Sequence, residues 1–332
     1  MNALRPVHVG RPASSCRLIH AQAESPLLLS RAGRTPPLSL ESLPVLVSAP
    51  APAPQLGRKR VHRQQHDIST SASSFNLSQA GTDRPGHGNL SNAFAILRAM
   101  LFYATTLALS IPLFITMLLM TPLVLLFDRH RRLWQHFVNN IWAKVSTSLF
   151  FPVKVEGREH LPQPNEAAVY VANHQSFMDI YSLFHLNRAF KFISKTSIFF
   201  FPIVGWSMFL TGHIKLNRTD RRSMMACLLE CQRLLKLGSS VLFFPEGTRS
   251  TSGRMAAFKK GAFSVAAKAK VPVVPITMVG TGNMMPNKQE FKLFPGGVRI
   301  IVHPRIHPGS ADAMLDQAFQ SVAGSLPPEL VA

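Results

Sequence analysis

Ala167-Ala168-Val169-Tyr170-Val171-Ala172 is an apolar run that breaks abruptly into Asn173-His174-Gln175-Ser176-Phe177-Met178-Asp179. A short, wholly apolar run bounded by polar residues reads as a strand buried on both faces. Three further runs have the same character: Ser239–Phe244, Val271–Val279 and Val298–Val302. Between the opening run and Ser239–Phe244, Arg218–Leu237 reads as a helix. Thr219 or Asp220 is placed to cap it, Met224, Leu228, Cys231 and Leu235 form its apolar stripe, and Gly238 stops it. Ser310–Gly324 reads as a terminal helix with Leu315, Phe319 and Val322 inward. Strands alternating with helices predict an α/β domain, a mostly parallel sheet covered by helices on both faces.

The ends of the strands carry the polar chemistry. His174 and Asp179 are five residues apart, a spacing that points them about 140° apart on one regular helix. They meet if His174 sits in the strand-to-helix turn and Asp179 in the first helical turn. A carboxylate there accepts from one imidazole nitrogen, fixes the tautomer and leaves the other as a general base. Phe244-Pro245-Glu246-Gly247-Thr248-Arg249-Ser250 follows the second run. Strand C-terminal ends are where open α/β sheets hold ligands. Glycine there permits close backbone approach, and the arginine fork suits a phosphate. Ser176 lies between His174 and Asp179, a position for a turn or cap, and no Gly-x-Ser-x-Gly elbow occurs anywhere in the chain.

Outward from this core the chain changes character twice. Residues 1–90 hold 10 Lys and Arg against 4 acidic residues, with 12 Ser, 10 Pro and one aromatic, Phe75. Such composition cannot bury enough apolar surface to fold alone, and an Arg- and Ser-rich, acid-poor N-terminus reads as an organellar transit peptide and linker. Ala99–Phe127 is then 29 residues without a charge, long enough for a bilayer's ~30 Å hydrocarbon core. Pro112 and Pro122 argue against one straight rod, so two shorter helices, a kinked span or a re-entrant hairpin are expected. Arg129, His130, Arg131 and Arg132 follow at once and put the C-terminal side on the stromal, matrix or cytoplasmic face. The expected domains are a disordered 1–90, a membrane-associated helical 95–132 and a catalytic 133–332.

The 332-residue chain has a formal charge of +20, yet only 16% of its residues are charged and 46% are apolar. That excludes a wholly disordered, charge-rich chain and points to anionic partners. Residues 91–332 alone carry 26 basic and 12 acidic side chains. The basic residues flank apolar runs and do not interleave with aromatics, which argues for an anionic membrane surface and against nucleic acid. Three cysteines, at 16, 227 and 231, exclude a disulfide framework and a four-cysteine zinc site, and no motif demands a metal or cofactor.

Four segments in order resemble the blocks of the glycerolipid acyltransferase family: His174-x4-Asp179, Gly212–Arg218, Phe244–Arg249 and Val271–Ile276. The second carries Lys215 where the commoner family form has an aromatic. Lys191–Trp206 and Ala257–Lys268 are similar to the plastid-type branch that acylates lysophosphatidic acid. The resemblance implies that His174 deprotonates the sn-2 hydroxyl of 1-acyl-sn-glycerol 3-phosphate and that Asp179 orients it. The alkoxide then attacks a thioester of acyl carrier protein or CoA, with no covalent enzyme intermediate and no cofactor. Glu246, Gly247, Thr248 and Arg249 would bind the acceptor, with Arg218 and Lys195 as further cations, and backbone N–H groups near Gly247 are candidates for the oxyanion. The implied location is a chloroplast membrane, the inner envelope, with the catalytic domain facing the stroma. Acceptors such as glycerol 3-phosphate or another lysophospholipid, and a non-catalytic membrane adaptor, are the alternatives. Thr196–Ile214 is 19 residues without formal charge and reads as an apolar wall for an acyl chain, not a second span. Protease cleavage at Arg218–Arg222 is therefore expected from the same membrane side as the His174 region; cleavage from the opposite side only would refute it.

Overall fold

The computed structural model describes residues 89–331, so the expected transit segment and linker lie outside the described residues. The described chain opens with α1, Asn89–Phe127, a single helix of 39 residues that contains both Pro112 and Pro122. Of the three expected forms, two shorter helices and a re-entrant hairpin are not met, and one continuous helix runs through both prolines. Each proline removes one N–H, and neighbouring side chains engage the carbonyls nearby: Thr116 Oγ1 donates to Pro112 O and Thr121 Oγ1 to Met117 O. The helix also begins six residues before the expected position 95. At 1.5 Å per residue its length is ~58 Å.

α1 buries a narrow seam of Ala95, Ala99, Phe102, Thr106, Ser110, Met117 and Val124. These recur at spacings of three, four and seven, the stripe of a helix laid along a partner. The partners are α2 (Leu133–Ser148), which sequence reading did not resolve, and the start of the globular part. Trp142 Nε1 of α2 donates to Thr106 O, and Arg98 donates to the carbonyls of Phe150 and Leu293. The rest of the α1 surface is exposed and apolar, from Leu90 and Phe94 to Leu126 and Phe127.

The sheet has seven strands among the described residues: β1 (Val153–Glu156), β2 (Val169–Ala172), β3 (Phe190–Lys195), β4 (Ile214–Leu216), β5 (Ser240–Phe243), β6 (Val273–Val279) and β7 (Val298–Val302). Their order is β1-β7-β6-β2-β5-β3-β4. Every neighbouring pair is parallel except β6 and β7, so the sheet is mostly parallel as expected. All four strands anticipated from apolar runs form, within two residues of their expected limits. The short β1, β3 and β4 carry mixed polarity and gave no such signal.

Side chains alternate between two cores. Tyr170, Ala172, Leu242, Val274 and Ile276 face one side, under α1, α2 and α3 (Met178–Leu183). Val169, Val171, Val241, Phe243 and Val273 face the other, under α5 (Arg221–Lys236), α6 (Gly261–Ala269) and α8 (Ala311–Ala323). A short α4 (Val204–Thr211) and α7 (Thr281–Met284) complete the helices. Asp220 caps α5 by accepting from the Arg222 and Ser223 N–H groups. The inward stripe of α5 is Cys227, Cys231, Leu234 and Leu235; Met224, expected in it, is exposed.

The turn between α1 and α2 is pinned by a buried lysine. Lys191 Nζ bonds Arg131 O at 2.8 Å, Thr211 O at 2.7 Å and His136 Nε2 at 3.1 Å. Burial pulls this ammonium down to about 7.

Asn173 joins the end of β2 to β6: its Nδ2 donates to Met278 O at 2.9 Å and its Oδ1 accepts from Met278 N at 2.7 Å. Asn173→Ala strands both buried backbone groups and should cost about 1–3 kcal/mol of stability. Chemical unfolding against wild type in the same detergent measures it.

Candidate active site

β2 ends at Ala172, and the next two residues carry the chain over the sheet's C-terminal rim. Asp179 falls in the first turn of α3 and is fully buried. Its Oδ2 meets His174 Nδ1 at 2.8 Å, and accepts from the N–H groups of Gln175 and Ser176 at 2.8 and 2.9 Å. The turn thus brings the five-apart pair together in the way a single helix could not. An Asp acceptor at Nδ1 favours the tautomer with the proton there and leaves the Nε2 lone pair free. The imidazole lies flat on Phe244, ring centroids 3.8 Å apart and planes within 13°.

The Phe244–Arg249 loop grips the same histidine by its backbone. Glu246 Oε1 accepts from His174 N at 2.7 Å, and Glu246 Oε2 accepts from Ala256 N at 2.9 Å. Ser250 N in turn donates to His174 O at 2.8 Å. Glu246 is buried, which pushes its carboxyl up to about 7; the two backbone donors oppose that shift and the Asp179 charge adds to it. Gly247 has φ +84°, and a Cβ there would stand 2.6 Å from Lys259 Nζ. The positive φ of the turn favours glycine at this position, and the lysine end lies close against it. The Gly247 N–H is taken by Phe244 O, so this donor is not open for an oxyanion.

Arg249 is half-buried and pairs with Glu290 through Nη1 at 2.5 Å. The Arg249 and Ser250 carbonyls both receive the Asn287 side-chain amide. Tyr103 of α1 donates to the Glu290 carbonyl at 2.7 Å, tying the long helix to this segment.

The remaining expected residues lie at the rim. Thr248 is exposed and outside the hydrogen-bond network. Lys195 ends β3 and Arg218 follows β4; both are exposed at the C-terminal end of the sheet, and neither joins the His174 network among the described residues. Ser176 is buried, with Oγ accepting from Met178 N and donating to Met285 O, a cap and brace. Sequence reasoning missed Lys259, Glu290 and the stacking role of Phe244. Phe244 opens the quoted loop motif and Lys259 lies in Ala257–Lys268, so both sat inside recognised segments. Glu290 sits in an irregular stretch with no local signal. No group of His, Cys, Asp and Glu among the described residues is arranged to hold a metal ion.

Residues 152–279 match the Acyltransferase family. The chain is 62% identical over 238 residues to a 1-acyl-sn-glycerol-3-phosphate acyltransferase of Chlamydomonas reinhardtii, covering 71% of this chain and 72% of that one. It is 51% identical over 214 residues to a chloroplastic 1-acyl-sn-glycerol-3-phosphate acyltransferase of Arabidopsis thaliana, covering 64% of this chain and 60% of that one. The crystal structure of a 1-acyl-sn-glycerophosphate acyltransferase from Thermotoga maritima superposes with a TM-score of 0.61 at 28% identity, over 70% of this chain and 94% of that one.

Glu246 yields a pH prediction. Its proton is held more tightly folded, near 7, than at the ordinary value of 4.5. Its contribution to stability is therefore greatest below about 4.5 and falls as pH rises toward 7. The stability of wild type relative to Glu246→Gln should be greater at pH 5 than at pH 8, as read by thermal unfolding of both at each pH.

Proposed function

The chain belongs to the family of 1-acyl-sn-glycerol-3-phosphate acyltransferases, and from that premise we propose that it transfers a fatty acyl group from a thioester to the sn-2 hydroxyl of 1-acyl-sn-glycerol 3-phosphate, making phosphatidic acid. The observation that carries the mechanism is the His174–Asp179 pair at 2.8 Å, with Asp179 fully desolvated and Nε2 left free.

His174 Nε2 takes the hydroxyl proton as the oxygen attacks the thioester carbon. Asp179 holds the ring and stabilises the imidazolium through Nδ1–H. When the tetrahedral adduct collapses, the new C–O ester bond remains, the C–S bond breaks, and the imidazolium returns its proton to the leaving thiolate. No side-chain nucleophile enters, consistent with Ser176 being committed to Met178 N and Met285 O. Glu246 positions His174 through the backbone. Arg249 receives the acceptor phosphate, which takes over the place of the Glu290 carboxylate on the guanidinium; Lys259, beside Gly247, and the rim cations Lys195 and Arg218 add positive potential. Gly247 and Thr248 form the turn that carries Arg249 to this place.

The exposed apolar faces support membrane association. α1 has mean hydropathy 2.3 over its most apolar stretch and is little buried there. Phe200, Phe201, Trp206 and Phe209, in the expected apolar wall, are exposed, and α4 at eight residues is too short to span. The substrate acyl chains run along the part of this wall formed by Phe200, Phe201 and Trp206. Chloroplastic relatives support a plastid location; the proposal places the catalytic face toward the stroma of the inner envelope, with a thioester of acyl carrier protein or of CoA as donor.

The test is acyl transfer by the full chain in lipid, with labelled thioesters of acyl carrier protein and of CoA, offered lysophosphatidic acid or glycerol 3-phosphate. Product should form with lysophosphatidic acid. His174→Ala should lower the rate by roughly 10²–10⁴. A folded His174→Ala protein with near wild-type turnover, or product from glycerol 3-phosphate alone, overturns the reading.

A further inference from the structure

A groove of about 500 Å³ runs between α5 and the turn joining α1 to α2, along the open edge of β4. Gly212 and His213, at the N-terminal entrance of β4, form part of its floor. His174 and Glu246 instead follow the C-terminal ends of β2 and β5, and β2, β5, β3 and β4 are mutually parallel. The groove and the catalytic cluster therefore lie toward opposite ends of the sheet.

The groove is charged in one sense. Arg129, Arg132, Lys215 and Arg233 line it, against one carboxylate, Glu230. Arg233 engages that carboxylate through two nitrogens, each at 2.7 Å. Arg132 is spent on the carbonyls of Phe209 and Leu210. Arg129 and Lys215 have no carboxylate partner among the described residues, and the Lys215 ammonium stands 5.1 and 5.3 Å from the ring centres of Phe199 and Phe209. Beneath the floor, buried Lys191 is held by carbonyls and an imidazole, not by an acid. An anion entering here would meet two cations without a carboxylate partner among the described residues.

The groove is also amphipathic. Phe209 lines it and is 61% exposed, and Leu126 and Phe127 end α1 just before Arg129, with 73% and 81% of their surface open. A free phosphate would leave these rings uncovered. A zwitterionic headgroup would bring its own cation against Arg129 and Lys215. An anionic headgroup with an acyl chain satisfies both halves.

We propose that this groove is a second lipid site, which takes the phosphate of an anionic glycerophospholipid at Arg129 and Lys215 and lays an acyl chain over Phe209 and Phe127. It is separate from the acceptor site and does not depend on the acyl-transfer reading.

The test is calorimetric titration of the detergent-solubilised full chain with dihexanoyl phosphatidic acid, dihexanoyl phosphatidylcholine or inorganic phosphate. Arg249→Ala removes the acceptor-site arginine, and Arg129→Ala/Lys215→Ala empties the groove. Phosphatidic acid binding should persist in Arg249→Ala within about twofold and weaken about tenfold or more in the double variant, as expected for loss of two charge-assisted contacts. Phosphatidylcholine and inorganic phosphate should each bind about tenfold more weakly than phosphatidic acid to wild type. Arg129→Gln, at an exposed side chain without other bonds, reads the same loss if the double variant does not fold. Binding unchanged in the groove variants, binding abolished by Arg249→Ala, or inorganic phosphate as tight as phosphatidic acid would each overturn the proposal.

Discussion

One buried carboxylate oxygen organises the turn that carries His174. Asp179 Oδ2 gathers an imidazole N–H and two backbone N–H groups within 2.9 Å. The two backbone donors come from the turn that follows β2, so they set the carboxylate's direction before the ring is considered. The ring then has one orientation that keeps its proton on Nδ1. Asp179 is fully buried, so these donors stabilise its carboxylate, and reorienting Oδ2 would forfeit all three at once. Glu246 does for the histidine backbone what Asp179 does for the side chain. The site is thus rigid because two buried acids are each fastened to the main chain, one from each flanking loop.

Much of this was legible in the chain. Buried parallel strands must be apolar throughout, so four of the seven announced themselves as unbroken runs, and the motifs that follow two of them lie over the rim where ligands bind. The strands that escaped were those with partial exposure: β1 alternates, β3 contains Lys191, and β4 is three residues at an open edge. Lys191 is instructive, because a lysine reads as surface, and its complete burial depends on carbonyls from the α1–α2 turn and from α4 that no local pattern shows. Glu290 escaped for the same reason; its partner Arg249 is 41 residues away. Two of the forms expected of α1, separate helices and a hairpin, do not occur: the rule that proline breaks helices counts the lost N–H and neglects the partner surface. Here the seam against α2 and α4 runs past both prolines.

The same seam explains how one chain presents an apolar exterior and still has a defined shape. α1 spends one narrow seam on packing, from Ala95 and Ala99 through Phe102 to Met117 and Val124, and leaves most of its other apolar side chains outward. α4 and the turn before it add exposed aromatics beside it. The catalytic turn, by contrast, is polar and internal. Apolar substrate tails and a charged headgroup would be served by neighbouring but chemically distinct surfaces, which a bilayer–water boundary matches.

The sheet is closed at its far edge by a pairing between β1 and β7, whose partners Val153 and Val298 stand almost at the two extremes of the globular part. Leu293, from the segment just before β7, bonds Ala95 through its backbone and receives Arg98. During synthesis, then, α1 can meet α2 at once, but the start of α1 and the first strand wait for the last quarter of the chain to complete their contacts. Such late, long-range closure slows folding and prolongs exposure of sticky surface. An early bilayer contact for α1 would shield that surface in the interval, which makes the order of translation, insertion and strand pairing a selectable property of this fold.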